Sequence, residues 1–474
     1  MRQETFLKSK FSFLLEIAIG LLQSFFSFLG ILWLILLFER LKNSPSKFKI
    51  TWASALCYYI ATLHWISFAL WVEIDKFWWA IPLALVILPA YTALFPALAS
   101  LWFDRKSPYL FCLSFVALEW TRGWIFTGFP WGFMGHLWLD THVIQLAAWG
   151  GVFPLSFLMI ALAARLKSAI IICILTLPLI FLGYENTFFD TKVRLVQPHV
   201  TQKDKWDYSK QDQRFFDLIS LSTTTDPKVK AIILPETAFT FFFEDFPERV
   251  HLIQSAIPKG GYFIAGSVRK DLKPFYGFNL RSSLLALDDQ AETVDFYDKT
   301  HLVPFGEYVP LNIRHFLPYL AKITHGTRDY TPGIGPRKIA LKNFPSFNPV
   351  LCYESIFPSE IATNNRADFI LIATNDAWFD GSIGPQQHLD LARIRAIEQG
   401  LGVVRVANTG ISAIIDPKGK VLESIPLGQK GAIDTFIPKP LEQTLYSQYI
   451  YLENYFMYAV WIFLIFMHLR RRHK

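Results

Sequence analysis

"PVLCYESIFP", residues 349–358, is a short apolar run that ends in a cysteine and a glutamate. Several neighbouring runs are apolar at every position, which is typical of strands in a sheet covered on both faces. Two segments between the runs, "QDQRFFDLISLS" and "QQHLDLARIRAIEQG", have helical spacing. The chain from about residue 191 to residue 445 therefore predicts a layered α/β domain. Its expected strands are "VRLVQ" (193–197), "KAIILPE" (230–236), "YFIAGSV" (262–268), "SSLLALD" (282–288), "NPVLCYE" (348–354), "FILIATND" (369–376), "VVRVANT" (403–409) and "SAIIDP" (412–417).

The overall composition indicates a membrane protein that carries one large water-exposed domain. Hydrophobic residues make up 52% of the 474 residues and charged residues 18%, which is too apolar for an ordinary soluble protein. The apolar residues are concentrated before residue 183 and after residue 450. The net charge of +7 comes mainly from basic residues at the ends of these apolar blocks, so membrane topology explains it better than nucleic acid does. We therefore expect a membrane partner and no nucleic-acid partner.

The apolar blocks predict eight membrane spans. A span needs about 20 apolar residues, although shorter spans are tolerated. Lys and Arg gather on the cytoplasmic side of short loops, and eight spans place every basic loop there, including "ERLKNSPSKFK" (39–49). If residues 11–38 instead form one long helix, seven spans remain and that loop falls outside. The eight candidates are residues 11–26, 28–38, 50–72, 79–103, 110–125, 143–166, 168–182 and 450–469.

Eight spans place the layered domain outside the cytoplasm and tether it at both ends. The predicted organisation is a seven-helix membrane domain at residues 1–188, an extracytoplasmic domain at residues 189–445, and a final membrane helix with a basic tail at residues 446–474. The first apolar block is long and has no small-residue cleavage site after it, so we expect no removed signal peptide.

Polar residues with catalytic potential lie where the predicted strands end. In α/β sheets, chemistry gathers just beyond the carboxyl ends of the strands, where the loops begin. One more candidate lies in "YDKTHLVPFGEYVP" (297–310), which follows a further short apolar stretch. These candidates are Glu236, Lys299, Cys352, Glu354, Asn375 and Asp376.

Cys352 is the one cysteine of the predicted outer domain, because the other three fall inside proposed spans. A free cysteine is more often a small buried apolar residue than a nucleophile. A nucleophilic thiol needs a nearby cation or base. His301 and His388 could form a Cys–His pair, and a lysine with a glutamate could form a Cys–Lys–Glu set. The spacing of the residues does not select between these arrangements.

Five stretches, in order along the chain, resemble the signatures of the nitrilase superfamily. Combined with the membrane segments, including "GFPWGFMGH" (128–136), they resemble its membrane-bound bacterial branch, the apolipoprotein N-acyltransferases. The resemblance covers essentially the whole chain and implies an αββα sandwich inserted in a polytopic α-helical membrane domain. The five stretches are "LPETAF" (234–239), "YDKTHLVPFGEYVP" (297–310), "LCYESIFP" (351–358), "NDAWFDGSIGPQQHLDLARIRAIEQG" (375–400) and "VRVANTGISAIIDPKGKV" (404–421).

The resemblance implies a Glu–Lys–Cys triad at three of these positions. Glu236 matches the general base, Lys299 the cation and Cys352 the nucleophile. Glu307, in "PFGEYVP", matches a further acidic residue that the family uses beside the triad. Splitting a transfer into two steps through a covalent thioester is the general advantage of such a nucleophile, and it predicts ping-pong kinetics.

Three further positions match residues near the family's active site. Tyr353 and Glu354 match the two residues after the cysteine, and Trp206 in "KDKWD" matches a tryptophan near the start of the domain. For Glu354, local capping or pairing is an equally good explanation. For Trp206, ordinary packing is an equally good explanation.

The resemblance implies a reaction between two lipids. The donor is a phospholipid, whose acyl chain passes through a Cys352 thioester to the α-amine of a diacylglyceryl-cysteine at the N-terminus of an apolipoprotein. No cofactor and no metal ion are expected. The implied location is the bacterial inner membrane, with several passes and the catalytic domain on the periplasmic side.

A lipid substrate requires apolar residues at the site. "TAFTFFFEDF" (237–246) follows the expected base and is expected to enter the outer leaflet or to line the acyl pocket, with a buried strand edge as the alternative. The segment "DAWFDGSIGPQQH" (376–388) has the Gly and Pro content of a mobile lid or of a long turn. The residues expected to contact substrate are Trp206, Phe241, Phe242, Phe243, Asn375 and Trp378.

Two other functions remain open at this point. A membrane-tethered amidase or nitrile hydrolase would use the same triad with water as the acceptor, but a small polar amide needs neither eight spans nor a run of Phe. A polytopic transporter or sensor would use the outer domain only for binding, which leaves Glu236, Lys299 and Cys352 without a purpose.

Overall fold

The helices and strands come from a computed structural model. It describes residues 2–23, 26–178, 184–272, 277–310, 322–324, 326, 328–361 and 365–472, and for residues 2–12, 244, 471 and 472 it describes the backbone alone. The predicted spans 11–26 and 168–182 therefore lie partly outside the described residues. The chain divides into two compact units, Met1–Tyr184 with Thr444–Lys474, and Glu185–Gln443.

The described α-helices are numbered along the chain. Helices α1 to α10 precede the second unit, α11 to α15 belong to it, and α16 follows it. In order, they are Arg2–Gln23, Gly30–Asn43, Lys47–Leu63, Phe68–Trp71, Ile74–Phe77, Ile81–Ala99, Tyr109–Arg122, Ala147–Gly150, Val152–Ala163, Lys167–Leu175, Gln202–Lys205, Gln211–Ser222, Pro247–Ala256, Pro358–Ile361, Gly384–Gln399 and Leu445–Arg472.

Several helices of the first unit are apolar enough for a membrane. Two shorter apolar helices, Phe13–Gln23 and Val152–Ala163, lie within predicted spans. The segment predicted as either one or two spans forms two separate helices, α1 and α2. The count of eight spans stays a prediction. Within the described residues, three helical segments are long and apolar enough to cross a membrane, namely Lys47–Trp71, Ile74–Trp102 and Leu445–Arg470.

Buried polar groups hold the "GFPWGFMGH" segment within the first unit. Glu119 Oε1 accepts a hydrogen bond of 2.8 Å from the backbone N–H of Met134. Arg122 Nη1 donates to the backbone oxygens of Phe129 at 3.2 Å and Trp131 at 2.7 Å. Irregular backbone among apolar helices needs such internal partners, because lipid supplies none. These contacts explain why the two charged residues lie within an apolar helix end.

The second unit is built on two mixed β-sheets. The first sheet has the order β11-β1-β2-β3-β4-β5, and the second has the order β10-β9-β8-β7-β6. In each sheet the strands nearest the site run parallel: β1 with β2 and β2 with β3, and β6 with β7 and β7 with β8. The strands β1 to β11 are Phe188–Gln197, Val229–Ile233, Tyr262–Leu272, Phe278–Leu287, Thr293–Asp298, Phe347–Leu351, Phe369–Thr374, Gly402–Ala407, Ser412–Ile415, Val421–Ile425 and Gly431–Pro438.

Three apolar clusters arrange these elements around the sheets. The largest cluster joins residues of both sheets, such as Ile233 and Leu284 of the first and Leu351 and Leu371 of the second. A second cluster joins the first sheet to α12 and α13, and a third joins the second sheet to α15. A strand that contributes to two clusters must be apolar on both faces, which is the pattern seen in the sequence.

Each of the eight runs predicted as strands contains a strand, and both predicted helices are present as α12 and α15. The sequence reasoning did not name β5, β10 and β11 as strands, because "TVDFYD", "VLESI" and "GAIDTFIP" are mostly exposed or half-buried and are not apolar throughout. The residues from Cys352 to Ile356 form a short 3₁₀ helix after β6 and not the end of that strand.

Candidate active site

Glu236 lies three residues beyond the apolar end of β2 and is almost fully buried. The next residue, Thr237, has a left-handed backbone with φ 48°, which turns the chain sharply away from the sheet. Gly266 of β3 donates its backbone N–H to Pro235 O and accepts one from Phe239, so it holds both sides of this turn. A Cβ on Gly266 would lie 2.4 Å from Pro235 O, so glycine is required for this close approach.

Lys299 lies directly after β5 and connects two carboxylates. Its Nζ donates hydrogen bonds of 2.9 Å to Glu236 Oε1 and of 2.9 Å to Glu307 Oε1. Glu307 is fixed in turn, because its Oε2 accepts a 2.8 Å hydrogen bond from the backbone N–H of Val303. All three charged side chains are buried. A buried ammonium between two carboxylates is held in one position by charge and by hydrogen bonds.

Cys352 begins the 3₁₀ helix after β6 and is half-buried. Its φ of 48° is left-handed, and non-glycine residues in that conformation cluster at functional sites because the surroundings must hold them there. The backbone oxygen of Cys352 accepts a 2.8 Å hydrogen bond from Ser355 Oγ. This turn aims the side chain away from the direction that a continued strand would give it.

The charged groups around the thiol set its protonation state. Burial raises the pKa of the Cys352 thiol well above its ordinary value, the negative charges of Glu236 and Asp376 raise that pKa further, and the charge of Lys299 opposes them. Burial alone would lower the pKa of Lys299, but the neighbouring Glu236, Glu307 and Cys352 raise it well above its ordinary value. At neutral pH the resting site therefore holds a neutral thiol beside a permanent ammonium ion.

Of the two arrangements that the sequence left open, the structure brings Glu236, Lys299 and Cys352 into mutual electrostatic reach. The two histidines make other contacts. His388 Nε2 lies 3.2 Å from the backbone oxygen of Cys352 and 2.7 Å from Ser355 Oγ. The His301 ring stacks on Phe357, and its Nδ1 lies 2.5 Å from Glu360 Oε1.

Glu354 links the cysteine turn to the lysine loop. Its Oε2 accepts a 2.7 Å hydrogen bond from the backbone N–H of Leu351, and its Oε1 accepts one of 2.6 Å from that of Thr300, the residue after Lys299. Tyr297 OH also donates to Oε1 at 2.8 Å. Burial raises the pKa of Glu354, although these donors act in the opposite direction. Local capping and pairing therefore account for Glu354.

Asp376 is the centre of a buried network behind the cysteine turn. Its Oδ2 accepts a 2.8 Å hydrogen bond from Arg405 Nη2, and its Oδ1 lies 2.8 Å from His388 Nδ1 and 2.9 Å from Thr374 Oγ1. Burial alone would raise the pKa of Asp376, but Arg405 and His388 hold it well below its ordinary value. Asp376 is therefore a fixed anion beside the nucleophile.

Asn375 connects strand ends to a loop. Its Nδ2 donates to Gln202 Oε1 at 2.9 Å, and its Oδ1 accepts a 2.9 Å hydrogen bond from Asn408 Nδ2. Both polar atoms of the predicted substrate-binding amide thus have protein partners. Asn408 also bonds both backbone groups of Val200, so the amide chain fixes the segment that leads to Trp206. Contact of Asn375 with substrate stays a prediction.

Lys205 is a buried cation that sequence reasoning did not find. Its Nζ donates a 3.2 Å hydrogen bond to the backbone oxygen of Glu236. Burial lowers the pKa of Lys205 to about 8, although the charges of Glu236 and Cys352 act to raise it. In the sequence this lysine belongs to the charged segment "KDKWD" and resembles an exposed residue. Trp206 directly follows the short helix α11 and is half-buried, and its contact with substrate stays a prediction.

The Phe run after Glu236 packs partly against its own unit. Phe241 is buried, and its ring lies 5.4 Å from that of Phe239 and 5.7 Å from that of Phe243. Phe242 is half-buried, and its ring lies 6.0 Å from that of Phe278. Phe241 also lines a pocket with Thr237, Lys205 and Arg214. Packing accounts for Phe241, and lipid contact stays a prediction for the run.

The remaining predicted residues lie on the segments around the nucleophile. Tyr353, in the cysteine turn, packs edge-on against His301 and Phe357 with ring centroids 5.5 Å and 5.1 Å apart. Trp378 lies in the short 3₁₀ helix Asp376–Phe379 and is half-buried. Within the described part of the chain, no group of three or more His, Cys, Asp or Glu side chains could hold a metal ion.

The chain matches the models of two protein families. Residues 192–444, just over half of the chain, match the carbon-nitrogen hydrolase family, and residues 15–165 match the apolipoprotein N-acyltransferase N-terminal domain. The mixed sheets with Glu236, Lys299 and Cys352 at strand ends thus belong to a nitrilase-like carbon-nitrogen hydrolase domain. A CN-hydrolase superfamily protein from Xanthomonas campestris is similar over 54% of this chain and 91% of its own, with 20% identity and a TM-score of 0.35.

Whole-length relatives narrow the family further. The apolipoprotein N-acyltransferase of Rickettsia prowazekii is 35% identical over 463 residues, which is 92% of each chain. That of Rhodopseudomonas palustris is 34% identical over 446 residues, covering 86% of this chain and 83% of its own. Similarity of this extent reaches across both the helical unit and the sheet unit. The chain belongs to the apolipoprotein N-acyltransferase family.

Proposed function

We propose that this chain N-acylates lipoproteins by moving an acyl chain from a phospholipid, through a Cys352 thioester, to the α-amine of an N-terminal diacylglyceryl-cysteine. The observation that carries the proposal is the Lys299 ammonium, held at 2.9 Å from both Glu236 and Glu307 and within electrostatic reach of the Cys352 thiol. Membership of the apolipoprotein N-acyltransferase family supports the choice of acceptor.

The first half-reaction makes the thioester. Because the resting thiol is neutral, Glu236 takes the thiol proton as the sulfur attacks the ester carbonyl. Lys299 stabilises first the thiolate and then the oxyanion of the tetrahedral intermediate, since it is a fixed cation that needs no rearrangement. Glu236 then returns the proton to the leaving alcohol, and a lysophospholipid departs. Glu307 keeps Lys299 in place throughout, through its own hydrogen bond.

The second half-reaction moves the acyl chain from Cys352 to the acceptor. The α-amine of the acceptor attacks the thioester carbonyl, and Glu236 removes an amine proton. The Cys352 thiolate leaves and regains a proton from Glu236. Splitting the transfer in this way means that donor and acceptor need not be bound at the same time, which suits two large lipids that use one site.

The membrane setting belongs to the same proposal. We infer eight spans in the bacterial inner membrane and a periplasmic catalytic domain of αββα layering, within the boundaries 1–188, 189–445 and 446–474. Support comes from the apolar helices, from the separation of α1 and α2, and from the clusters on both faces of each sheet. The basic loops support the orientation.

Aromatic residues near the nucleophile are the proposed contacts for acyl chains. Phe242 and Phe243 are half-buried and follow the Glu236 turn, and Trp206 and Trp378 are half-buried on the segments that reach the site. Half-buried aromatic side chains can exchange solvent contact for lipid contact without unfolding the core. Phe241 contributes as the wall of the pocket that it lines. Tyr353 is proposed to support the cysteine turn.

One assay tests the proposed function. The purified protein is incubated with a phospholipid that carries a labelled acyl chain, and the label on protein is measured before and after addition of a diacylglyceryl lipopeptide. We expect label in a base-labile thioester that Cys352→Ala abolishes and that the lipopeptide removes as an N-acyl product. Label released only as free fatty acid would indicate a hydrolase, and no thioester in the intact protein would indicate a binding protein.

A further inference from the structure

We propose that Thr374 is a further catalytic residue, whose hydroxyl donates to Asp376 in the resting site and turns to the Cys352 sulfur when the thiolate forms. The proposal rests on the proposed function only in taking Cys352 as the nucleophile. Nothing in the comparisons or in the sequence reasoning singles out Thr374, which reads as an ordinary β-branched strand residue in "FILIATND".

Sheet register places Thr374 beside the nucleophile. Strands β6 and β7 are parallel neighbours, and Leu351 of β6 pairs with Ala373 of β7. Cys352 directly follows β6 and Thr374 is the last residue of β7, so the two residues are neighbours at the ends of adjacent strands. Thr374 is fully buried, so its hydroxyl can find partners only among protein groups.

The hydroxyl has one proton and two side chains that can accept a hydrogen bond from it, the Asp376 carboxylate at rest and the Cys352 sulfur once it is a thiolate. Thr374 Oγ1 donates a 2.9 Å hydrogen bond to Asp376 Oδ1. The Cys352 side chain lies within reach of the same hydroxyl, which acts to lower the pKa of the thiol against the effect of burial. A hydroxyl donates one hydrogen bond at a time, so it serves the carboxylate while the thiol is neutral and can serve the sulfur once that is charged.

Asp376 tolerates the loss of this bond because it keeps two stronger partners. Arg405 Nη2 donates to its Oδ2 at 2.8 Å, and His388 Nδ1 lies 2.8 Å from its Oδ1. The carboxylate is ionised and accepts only, so the Nδ1 position of His388 carries a proton. Both of these bonds are charge-assisted, and they are unaffected when the hydroxyl turns away.

Close packing keeps the carboxylate where Thr374 needs it. A Cβ on Gly410 would lie 2.2 Å from Asp376 Oδ2, so the chain between β8 and β9 touches the carboxylate directly. To change from the Asp376 carboxylate to the Cys352 thiolate, the Thr374 hydroxyl needs only a rotation about its own C–O bond. The Thr374 hydroxyl is therefore available to the thiolate when it forms, and at rest it is not left unpaired, because it donates to Asp376.

The catalytic step balances with Thr374 included. The Cys352 proton moves to Glu236, the sulfur electron pair forms the S–C bond, and the ester C–O bond breaks after the tetrahedral intermediate. Glu236 gives its proton to the leaving alkoxide. Thr374 keeps its O–H bond throughout. Its hydroxyl donates a hydrogen bond to the sulfur while the sulfur is anionic, and donates to Asp376 again once the thioester has removed that charge.

Four charged groups besides Thr374 affect the sulfur and must be considered in any pH experiment. Glu236 and Asp376 disfavour the thiolate, and Lys299 favours it. Lys205 also interacts with Cys352 by charge. Of these four groups only Asp376 accepts a hydrogen bond from Thr374, and it keeps its contacts with Arg405 and His388 in a Thr374 variant. A shift that appears only when the hydroxyl is removed therefore reports the hydroxyl.

The test measures the reactivity of Cys352 itself. Full-length protein in detergent is treated with iodoacetamide across a pH series, and alkylation of the peptide that contains Cys352 is followed by mass spectrometry. We expect Thr374→Val to lower both the alkylation rate near neutral pH and the single-turnover acylation rate from labelled phospholipid by about 10- to 100-fold, since a hydrogen bond to a charged group is lost. Thr374→Ser should stay within about threefold of wild type.

Thr435→Val is the matched control, because Thr435 is also a buried strand residue whose hydroxyl donates to a carboxylate, Glu423 Oε1, at 2.7 Å. It should leave both rates unchanged. Wild-type alkylation in Thr374→Val, or an equal loss in Thr374→Ser, would overturn the proposal. If Thr374→Val does not fold, Thr374→Ala against Thr374→Ser makes the same comparison, since both lack the methyl group and one keeps the hydroxyl.

These readouts separate the two proposals. Alkylation of Cys352 needs no turnover, so its dependence on Thr374 can be measured even if the protein transfers no acyl chain. Conversely, acyl transfer that survives Cys352→Ala would disprove the proposed function and leave the alkylation result standing as a property of the thiol.

Discussion

Lys299 is the residue on which the charges of the site depend. It is the buried cation between Glu236 and Glu307, each 2.9 Å away, and it acts on Cys352 as well. Because these neighbours raise its pKa well above the ordinary value, it stays charged at any pH at which the protein functions. The thiol behaves in the opposite way, since burial raises its pKa and keeps it neutral until a base removes the proton. In the proposed mechanism, the thiol is therefore activated during attack and not beforehand.

Replacement of the ammonium tests this arrangement. We expect Lys299→Met to lower thioester formation by at least about 100-fold, because the oxyanion and the thiolate lose their fixed cation. We also expect it to lower the free energy of unfolding by about 3–5 kcal/mol, since it leaves two buried carboxylates without their shared cation. The measurements are single-turnover acylation and denaturant unfolding followed by fluorescence.

The stability loss in Lys299→Met should depend on pH. Burial already raises the pKa of Glu307, and without the charge of Lys299 that pKa should rise further above its unfolded value. The folded state then binds more protons than the unfolded state, so the deficit should narrow as the pH falls. Lys259→Met, at an exposed turn, should change neither rate nor stability. A Lys299→Met deficit that is equal at all pH values would contradict the buried-charge explanation.

At the scale of elements, tight turns beyond strands place the proposed catalytic groups. Thr237, beyond β2, and Cys352, directly after β6, both have φ of 48°, so a left-handed residue stands at or next to each of two proposed catalytic side chains. Left-handed non-glycine residues are unfavourable by themselves and need neighbours that hold them. Gly266 on β3 provides that support for Glu236 through hydrogen bonds on both sides of the turn.

Gly266→Ala therefore should damage the site through the backbone. Its Cβ would lie 2.4 Å from Pro235 O and 2.6 Å from Glu236 Cα, and neither backbone atom can move without moving the base. We expect a loss of about 1–3 kcal/mol in the free energy of unfolding and at least a tenfold fall in thioester formation. Gly431→Ala is the control, because its Cβ would meet its nearest neighbour at 4.0 Å. Wild-type acylation by folded Gly266→Ala would show that the turn is not needed.

The elements also show how far the sequence determines the fold and the site. Runs that are buried on both faces, such as β7, are recognisable from composition alone, whereas β10 and β11 are half exposed and lack that signal. Strand ends could be read as places for catalytic residues. The choice between histidine and lysine as the partner of Cys352 could not be made from the sequence. It depends on contacts between residues about 50 positions apart or between the two sheets.

Residues that act through a neighbour leave still less trace in the sequence. Thr374 matters because register sets it beside Cys352, and Lys205 because a short helix turns it toward Glu236. Glu354 is the opposite case. Its position near the cysteine in the sequence suggests a catalytic role, whereas its hydrogen bonds to the backbone of Leu351 and Thr300 are those of a structural residue. Proximity in the sequence and proximity to the chemistry are separate properties.

At the scale of the whole molecule, the orientation in the membrane decides which lipids can reach the catalytic unit. The sheet unit is joined to the helical unit at both ends of Glu185–Gln443, so both connections must lie on the same side of the membrane. With a cytoplasmic N-terminus, an even number of spans before a loop returns it inside and an odd number takes it outside. The interpretation of residues 11–38 as two spans or one therefore reverses the side of every later segment.

Accessibility of two single cysteines distinguishes these topologies. Ser46→Cys lies in the basic loop after α2 and Ser209→Cys in the sheet unit, and both positions are exposed. In a background with the four native cysteines replaced by alanine, an impermeant maleimide is applied to cells with a permeabilised outer membrane. Eight spans predict that Ser209→Cys is labelled and Ser46→Cys is protected until the inner membrane is opened. Seven spans predict the reverse, which would place the thioester chemistry in the cytoplasm and exclude lipoproteins that have already been exported as its acceptors.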